Sequence, residues 1–261
     1  MRQIYKAEPE QVTAEYSKFM KEAPPFRPFI FNETHRATIA DLYANILTIQ
    51  NGEGVDDYGV NGLDSRLAKY LLRNPSLKKV LLLGVGPGRE ILLAKSMGFD
   101  ATGITLGSRN IDMGRLVLGL SEKEHIEAIA ESLPFPSETF DAVIGCQVFE
   151  HTIAPIMFLL EIGRVLKPNG KLILEWPSGE VHTAGANPHH LICYAPGQGK
   201  ALLRKTGFEN VETFYTNGQP IPKDLEWNCN GHDIYVCVEG TKGVSEVPFI
   251  KAWWNRILQE K

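Results

Sequence analysis

The stretch Val80–Glu90, VLLLGVGPGRE, constrains this chain more than any other. Val80 to Leu83 are all apolar and suit a strand buried on both faces of a parallel sheet, and the glycines behind them end it abruptly. Gly84, Gly86 and Gly88 carry no Cβ, so the backbone can turn tightly and a ligand can approach it closely. Arg89 to Met97 then reads as a helix whose first N–H groups face back into the turn and favour an anionic or hydroxyl-rich ligand. That order predicts a small-molecule site at the carboxyl end of a parallel sheet. The spacing G-x-G-x-G, stiffened by Pro87, differs from the G-x-G-x-x-G of dinucleotide-binding turns.

From Lys79 onward strands and helices alternate, which predicts a sheet covered by helices on both faces. Strands are expected at Asp100–Ile104, His125–Ala130, Phe140–Cys146, Lys171–Trp176, Phe208–Tyr215 and Asp233–Glu239. Helices are expected at Ser108–Leu120, at Ile153–Leu166, closed by Pro168, Asn169 and Gly170, and at Gly197–Thr206. Residues 1–78 are expected to form a helical extension or cap on a 79–240 core, and 241–261 a helical tail. Within the cap, APPFRPFIF from Ala23 to Phe31 cannot be one helix, whereas Thr38–Gln50 and Asp64–Arg73 are amphipathic, with Asn74 and Pro75 ending the second. The polar, glycine-rich stretch between those two reads as a surface loop or lid, with Tyr58 a candidate on the substrate side.

With 261 residues, 43% of them hydrophobic, the chain can bury one good core. A net charge of -4 without a cluster of Lys and Arg gives no electrostatic footprint for nucleic acid, so no nucleic-acid partner is expected. The N-terminus lacks the apolar core of a signal peptide and no apolar run approaches membrane-spanning length, so a cytoplasmic protein without a membrane partner is expected. Cys146, Cys193, Cys229 and Cys237 form no C-x-x-C pair and read as reduced thiols.

Several ordered landmarks share one resemblance. ESLPFPSETFDAVI from Glu131, CQVFEHT from Cys146, EIGRVLKPNGKLIL from Glu161 and HHLICYAPGQGKALLRKTGFENVE from His189 follow the glycine turn in sequence. Together, over residues 79 to about 239, they resemble the class I S-adenosylmethionine (SAM) dependent methyltransferases. The resemblance implies a Rossmann-like, seven-stranded mixed sheet whose last strand runs antiparallel beside the fifth. It implies SAM as cofactor and a small-molecule methyl acceptor, with transfer to oxygen favoured. By position, Gly84, Val85, Gly86 and Gly88 would face the methionine part of SAM, Thr105 and Leu106 its ribose, and Ala130 and Glu131 its adenine. Gln147 would lie near the methyl group. Acids usual in the family are replaced by Leu82, Thr105 and Ile129. Because GITLGSRN is similar to the matching segment of relatives of cyclopropane fatty acid synthases, Asn110 is a further candidate for the ribose.

Gln147, Glu150 and His151 reproduce, with one change, an E-x-x-E-H signature seen in ubiquinone-pathway and small-RNA methyltransferases. There it holds a divalent cation, and His190 stands where the small-RNA enzymes supply another histidine. The resemblance therefore implies Glu150, His151 and His190 as ligands for Mg²⁺ or Mn²⁺. The alternative is that Glu150 and His151 begin a helix. The loop between Pro177 and Pro196 also carries His182 and His189, and an imidazole there is suited to act as a base near neutral pH. His151 and His190 are the catalytic candidates, while Trp176 is expected to pack. Two other functions compete: a catalytically silent binding or regulatory subunit of the same fold, suggested by Leu82, Thr105 and Ile129, and a nicotinamide-dependent oxidoreductase, disfavoured by the glycine spacing.

Overall fold

The computed structural model describes residues 67–178, 190–215, 219–221, 223 and 235–243. All of them belong to one compact unit, Glu33–Lys261. Tyr58, His182, His189, Cys229 and the expected C-terminal tail beyond residue 243 lie outside the described residues, as does the cap up to residue 66.

Seven strands form one sheet: β1 (Lys79–Leu83), β2 (Asp100–Thr105), β3 (His125–Glu127), β4 (Phe140–Cys146), β5 (Leu166–Pro177), β6 (Phe208–Tyr215) and β7 (Tyr235–Lys242). Four helices, α1 (Arg89–Ser96), α2 (Ser108–Leu116), α3 (Pro155–Val165) and α4 (Pro196–Lys205), connect them. The spatial order is β3-β2-β1-β4-β5-β7-β6. β1 to β5 run parallel, while β7 slots between β5 and β6 antiparallel to both. Chain growth reverses direction between β1 and β4, which leaves a crevice outside their carboxyl ends.

Period-two alternation divides the central strands between two cores. Leu81, Leu83, Val143, Leu172 and Leu174 face Phe149, Phe158, Ile162 and Trp176 on one side. Val80, Leu82, Ala142, Ile144 and Ile173 face Leu67, Tyr70, Leu71, Ile91 and Ala94 on the other. Residues 67–72 are helical, and the Asn74 amide closes that helix on the Tyr70 carbonyl.

Some boundaries differ from the sequence reading for physical reasons. α2 ends at Leu116 instead of Leu120, because Gly119 takes φ 68° and Leu120 folds back into the core. β3 stops at Glu127; beyond it a turn closes from Ser132 N–H to Ile129 O. The helix expected from Ile153 starts at Pro155, after a separate 3₁₀ turn at Phe149–His151. β5 begins at Leu166, directly after α3, and Lys167–Gly170 are absorbed where the register jumps from Phe140↔Leu166 to Ala142↔Lys171. β7, described from Tyr235, continues past the expected Glu239 to Lys242, whose buried ammonium donates to Leu166 O at 2.7 Å.

One buried ion pair locks the connection into β4. Arg164 binds Glu161 through both carboxylate oxygens, at 2.9 and 2.8 Å, and also donates to Phe135 O and Leu133 O. Glu161 in turn accepts the Leu133 amide at 2.9 Å. The segment leading from Glu131 to β4 is thus pinned to α3 through charge-assisted bonds.

Candidate functional site

The turn after β1 takes its shape from its glycines. Gly84, Gly86 and Gly88 have φ of 67°, 48° and 95°, a region that L side chains rarely adopt. The Gly88 amide closes on Val85 O at 2.8 Å, and the Val85 amide ties the turn to β2 at Ile104 O. His125, buried at the start of β3, places Nε2 2.9 Å from Gly86 O and supports the turn. Burial pushes its imidazole below the usual histidine range, so the neutral Nε2–H donor form is favoured.

The three glycines are needed for different reasons. A Cβ on Gly88 would stand 2.4 Å from Leu120 Cδ1, and one on Gly84 would crowd Val148. A Cβ on Gly86 would meet no protein atom within 4 Å, because Gly86 borders open space. The preceding residues Gly84 and Val85 line a cleft with Leu67, Leu83, Glu90 and Cys146. Bare backbone beside a cleft at a helix start suits a partly anionic or hydroxyl-rich ligand.

Around the end of β2, polar groups are turned onto the backbone. Thr105 is buried with its hydroxyl 3.5 Å from Leu106 O, and the Asn110 amide donates to that same carbonyl at 3.0 Å. Glu127, the Cα partner of Thr105 on β3, accepts the Gly107 amide at 3.2 Å. This acid was missed in sequence because only the pairing of β2 with β3 brings it to the turn. Ala130 packs at the edge of the core, and Glu131 is buried with Oε1 accepting the Ala154 amide at 3.2 Å.

Past β4 the backbone is distorted where the site begins. Gln147 has φ 56°, unusual for a side chain of its size, and its amide N–H donates to Glu175 O at 2.8 Å. Its Nε2 donates to Glu175 Oε1 at 3.3 Å, while Tyr70 Oη donates to Glu175 Oε2 at 2.7 Å. Neither Glu175 nor Tyr70 stood out in the sequence; one is a mid-strand acid and the other a helix-face aromatic, and tertiary packing alone joins them.

The 3₁₀ turn carries the remaining candidates. The carbonyl of Glu150 accepts the amides of Leu191 and Ile192, at 2.8 and 3.2 Å, which returns the loop after β5 to this turn and sets His190 beside His151. Their ring centroids are 5.0 Å apart, nearly edge to face. The ligating atoms of Glu150, His151 and His190 all lie within 4.8 Å of one another. Glu150 is fully buried and, among the described residues, its carboxylate accepts no hydrogen bond; His151 Nε2 is 3.9 Å away. Burial, with help from the Glu175 charge, pushes this carboxyl up to about 8. Beneath the turn, Phe149 stacks on Tyr194 and packs edge-on against Trp176. Trp176 is fully buried and donates to Tyr194 O, so it packs, as expected.

The comparisons agree with this geometry. A methyltransferase-domain family model matches residues 81–174. The chain is 34% identical over 187 residues to a ubiquinone biosynthesis O-methyltransferase of Roseobacter denitrificans, covering 60% of this chain and 70% of that protein. It is 28% identical over 162 residues to the O-methyltransferase resE of Aspergillus sclerotiorum, covering 56% of this chain and 61% of that one. A SAM-dependent methyltransferase from Archaeoglobus fulgidus superposes with a TM-score of 0.55 at 16% identity, covering 69% of this chain and 93% of the other. No helix among the described residues is long and apolar enough to cross a membrane. A glycine turn at the switch point of a seven-stranded sheet, joined to a relative this similar over most of its length, makes the chain an enzyme of the class I SAM-dependent methyltransferases.

Proposed function

We propose that this enzyme transfers the SAM methyl group to an oxygen of a small-molecule acceptor at the carboxyl ends of β1, β4 and β5. The observation that carries the reading is the convergence of Glu150, His151 and His190 just beyond Gln147, past the carboxyl end of β4, the parallel neighbour of β1. O-methyltransferases among the relatives support oxygen as acceptor. In this reading Gly84, Val85, Gly86 and Gly88 receive the methionine part of SAM. Thr105, Leu106 and Asn110 edge the ribose, Ala130 and Glu131 the adenine, and Gln147 the methyl group.

Transfer is a displacement at carbon: the acceptor oxygen bonds to the methyl while the C–S electron pair stays on sulfur. Alignment supplies much of the rate. His151 and His190 are placed to take the acceptor proton, and an imidazole near neutral pH suits that step. The same three side chains suit a divalent cation such as Mg²⁺ or Mn²⁺: a buried carboxylate beside two imidazoles is a donor set that such an ion satisfies. Bound there, it would polarise an acceptor hydroxyl.

Two measurements test the reading. Calorimetry with SAM and S-adenosylhomocysteine should give binding that Gly86→Val abolishes; heat from NADH and none from either nucleoside would refute it. Activity of His151→Ala and His190→Ala, with and without Mn²⁺, separates the two roles of the histidines. Loss of a ligand removes metal dependence, whereas loss of a base moves the pH profile.

A further inference from the structure

We infer that Glu175, anchored by Tyr70, lets the enzyme distinguish its positively charged methyl donor from the neutral thioether left after transfer, by fixing a negative charge and the Gln147 amide behind the transfer point. The inference rests on the proposed seat of the methyl group beside Gln147.

Glu175 stands at the cleft end of β5, the Cα partner of Cys146 on β4, and is fully buried. Both of its oxygens accept, one from Tyr70 and one from Gln147. Burial and neighbouring negative charge hold the Tyr70 phenol far above its ordinary range, so it stays a donor. Gln147 is held twice by the same residue, through its backbone N–H and its side-chain NH₂. With the NH₂ committed to Glu175, the amide oxygen remains an acceptor suited to the polarised C–H bonds of a sulfonium methyl.

The charge matters because it is differential. SAM bears a positive sulfur; once the C–S pair returns to sulfur, the product bears none. A fixed carboxylate at this depth attracts the donor and is indifferent to the product, which favours exchange of one for the other after each turnover.

Titration calorimetry on wild type, Glu175→Gln and Tyr70→Phe, each with SAM and with S-adenosylhomocysteine, tests this. Glu175→Gln should weaken SAM about tenfold and change the homocysteine product by less than about twofold, the scale of one partly screened charge. Tyr70→Phe should shift the ratio in the same direction by about threefold, since it removes one donor and leaves the carboxylate. If Glu175→Gln does not melt cooperatively, the Tyr70→Phe ratio decides. Equal losses for both ligands, or none, overturn the inference and leave the cofactor site standing. Wild-type protein that binds neither ligand overturns the cofactor site and the inference together.

Discussion

Glu161 and Glu150 are both buried glutamates on the segment between β4 and β5, yet their surroundings are opposite. Glu161 meets Arg164 through two oxygens and also holds the Leu133 amide. Glu150 sits in an equally buried place and, among the described residues, accepts no hydrogen bond. A buried charge that is fully partnered fixes the path of the chain; one that is not costs stability and persists where a ligand or proton completes it. The first belongs to the scaffold and the second to the candidate site. The same division separates Gly88, which the core would crowd, from Gly86, which faces open space.

Breaking the scaffold pair gives the largest expected effect. Arg164→Ala leaves Glu161 charged and buried, and should cost about 3–5 kcal/mol in denaturant unfolding. Glu150→Gln should act with the opposite sign. The folded state raises this carboxyl from the ordinary 4.5 to about 8, so the native protein holds a proton that the unfolded chain has released. The wild type therefore loses stability as pH climbs through that window. Glu150→Gln should match it near pH 4 and exceed it by about 4 kcal/mol near pH 8 in the metal-free protein. A flat difference between the two unfolding profiles would show that Glu150 is satisfied after all.

The glycine contrast predicts smaller numbers. Gly88→Ala must displace Leu120 and should cost about 2 kcal/mol, whereas Gly86→Ala should cost about 1 kcal/mol, from backbone conformation alone. In thermal melts with saturating S-adenosylhomocysteine, Gly86→Ala should lose the ligand's stabilisation and Gly88→Ala should keep most of it. Smallest of all is Lys95→Ala, which removes the partly exposed ion pair to Glu124. That should change unfolding by less than about 0.5 kcal/mol.

How much of this was legible in sequence follows from how local each feature is. β4 and β6 were read with their observed bounds because Phe140–Cys146 and Phe208–Tyr215 carry their own patterning. The glycine turn was readable because its backbone demands are written in its residues. Helix ends were less so: α2 stops where Leu120 finds the core, a contact made with Gly88 far up the chain. In the site, Glu150, His151 and His190 were picked out by resemblance, and the carbonyl of Glu150 explains their meeting. Glu175, Tyr70, Glu127 and His125 escaped notice. Each gains its role from a strand pairing or a helix docking that no short window contains.

The insertion of β7 between β5 and β6 also sets an order of events during synthesis. When the ribosome has released residues through Tyr215, β5 and β6 both exist, but the strand that must lie between them does not. Until Tyr235–Lys242 emerge, the outer edge of β5, with Glu175 on it, offers unpaired amides and carbonyls to any passing chain. Nascent chains stalled at residue 220 should therefore be cut by protease within β5, and those stalled well past residue 243 should resist. The strand made last closes the edge beside the acid that orients Gln147, so a truncated product lacks a competent site as well as a finished sheet.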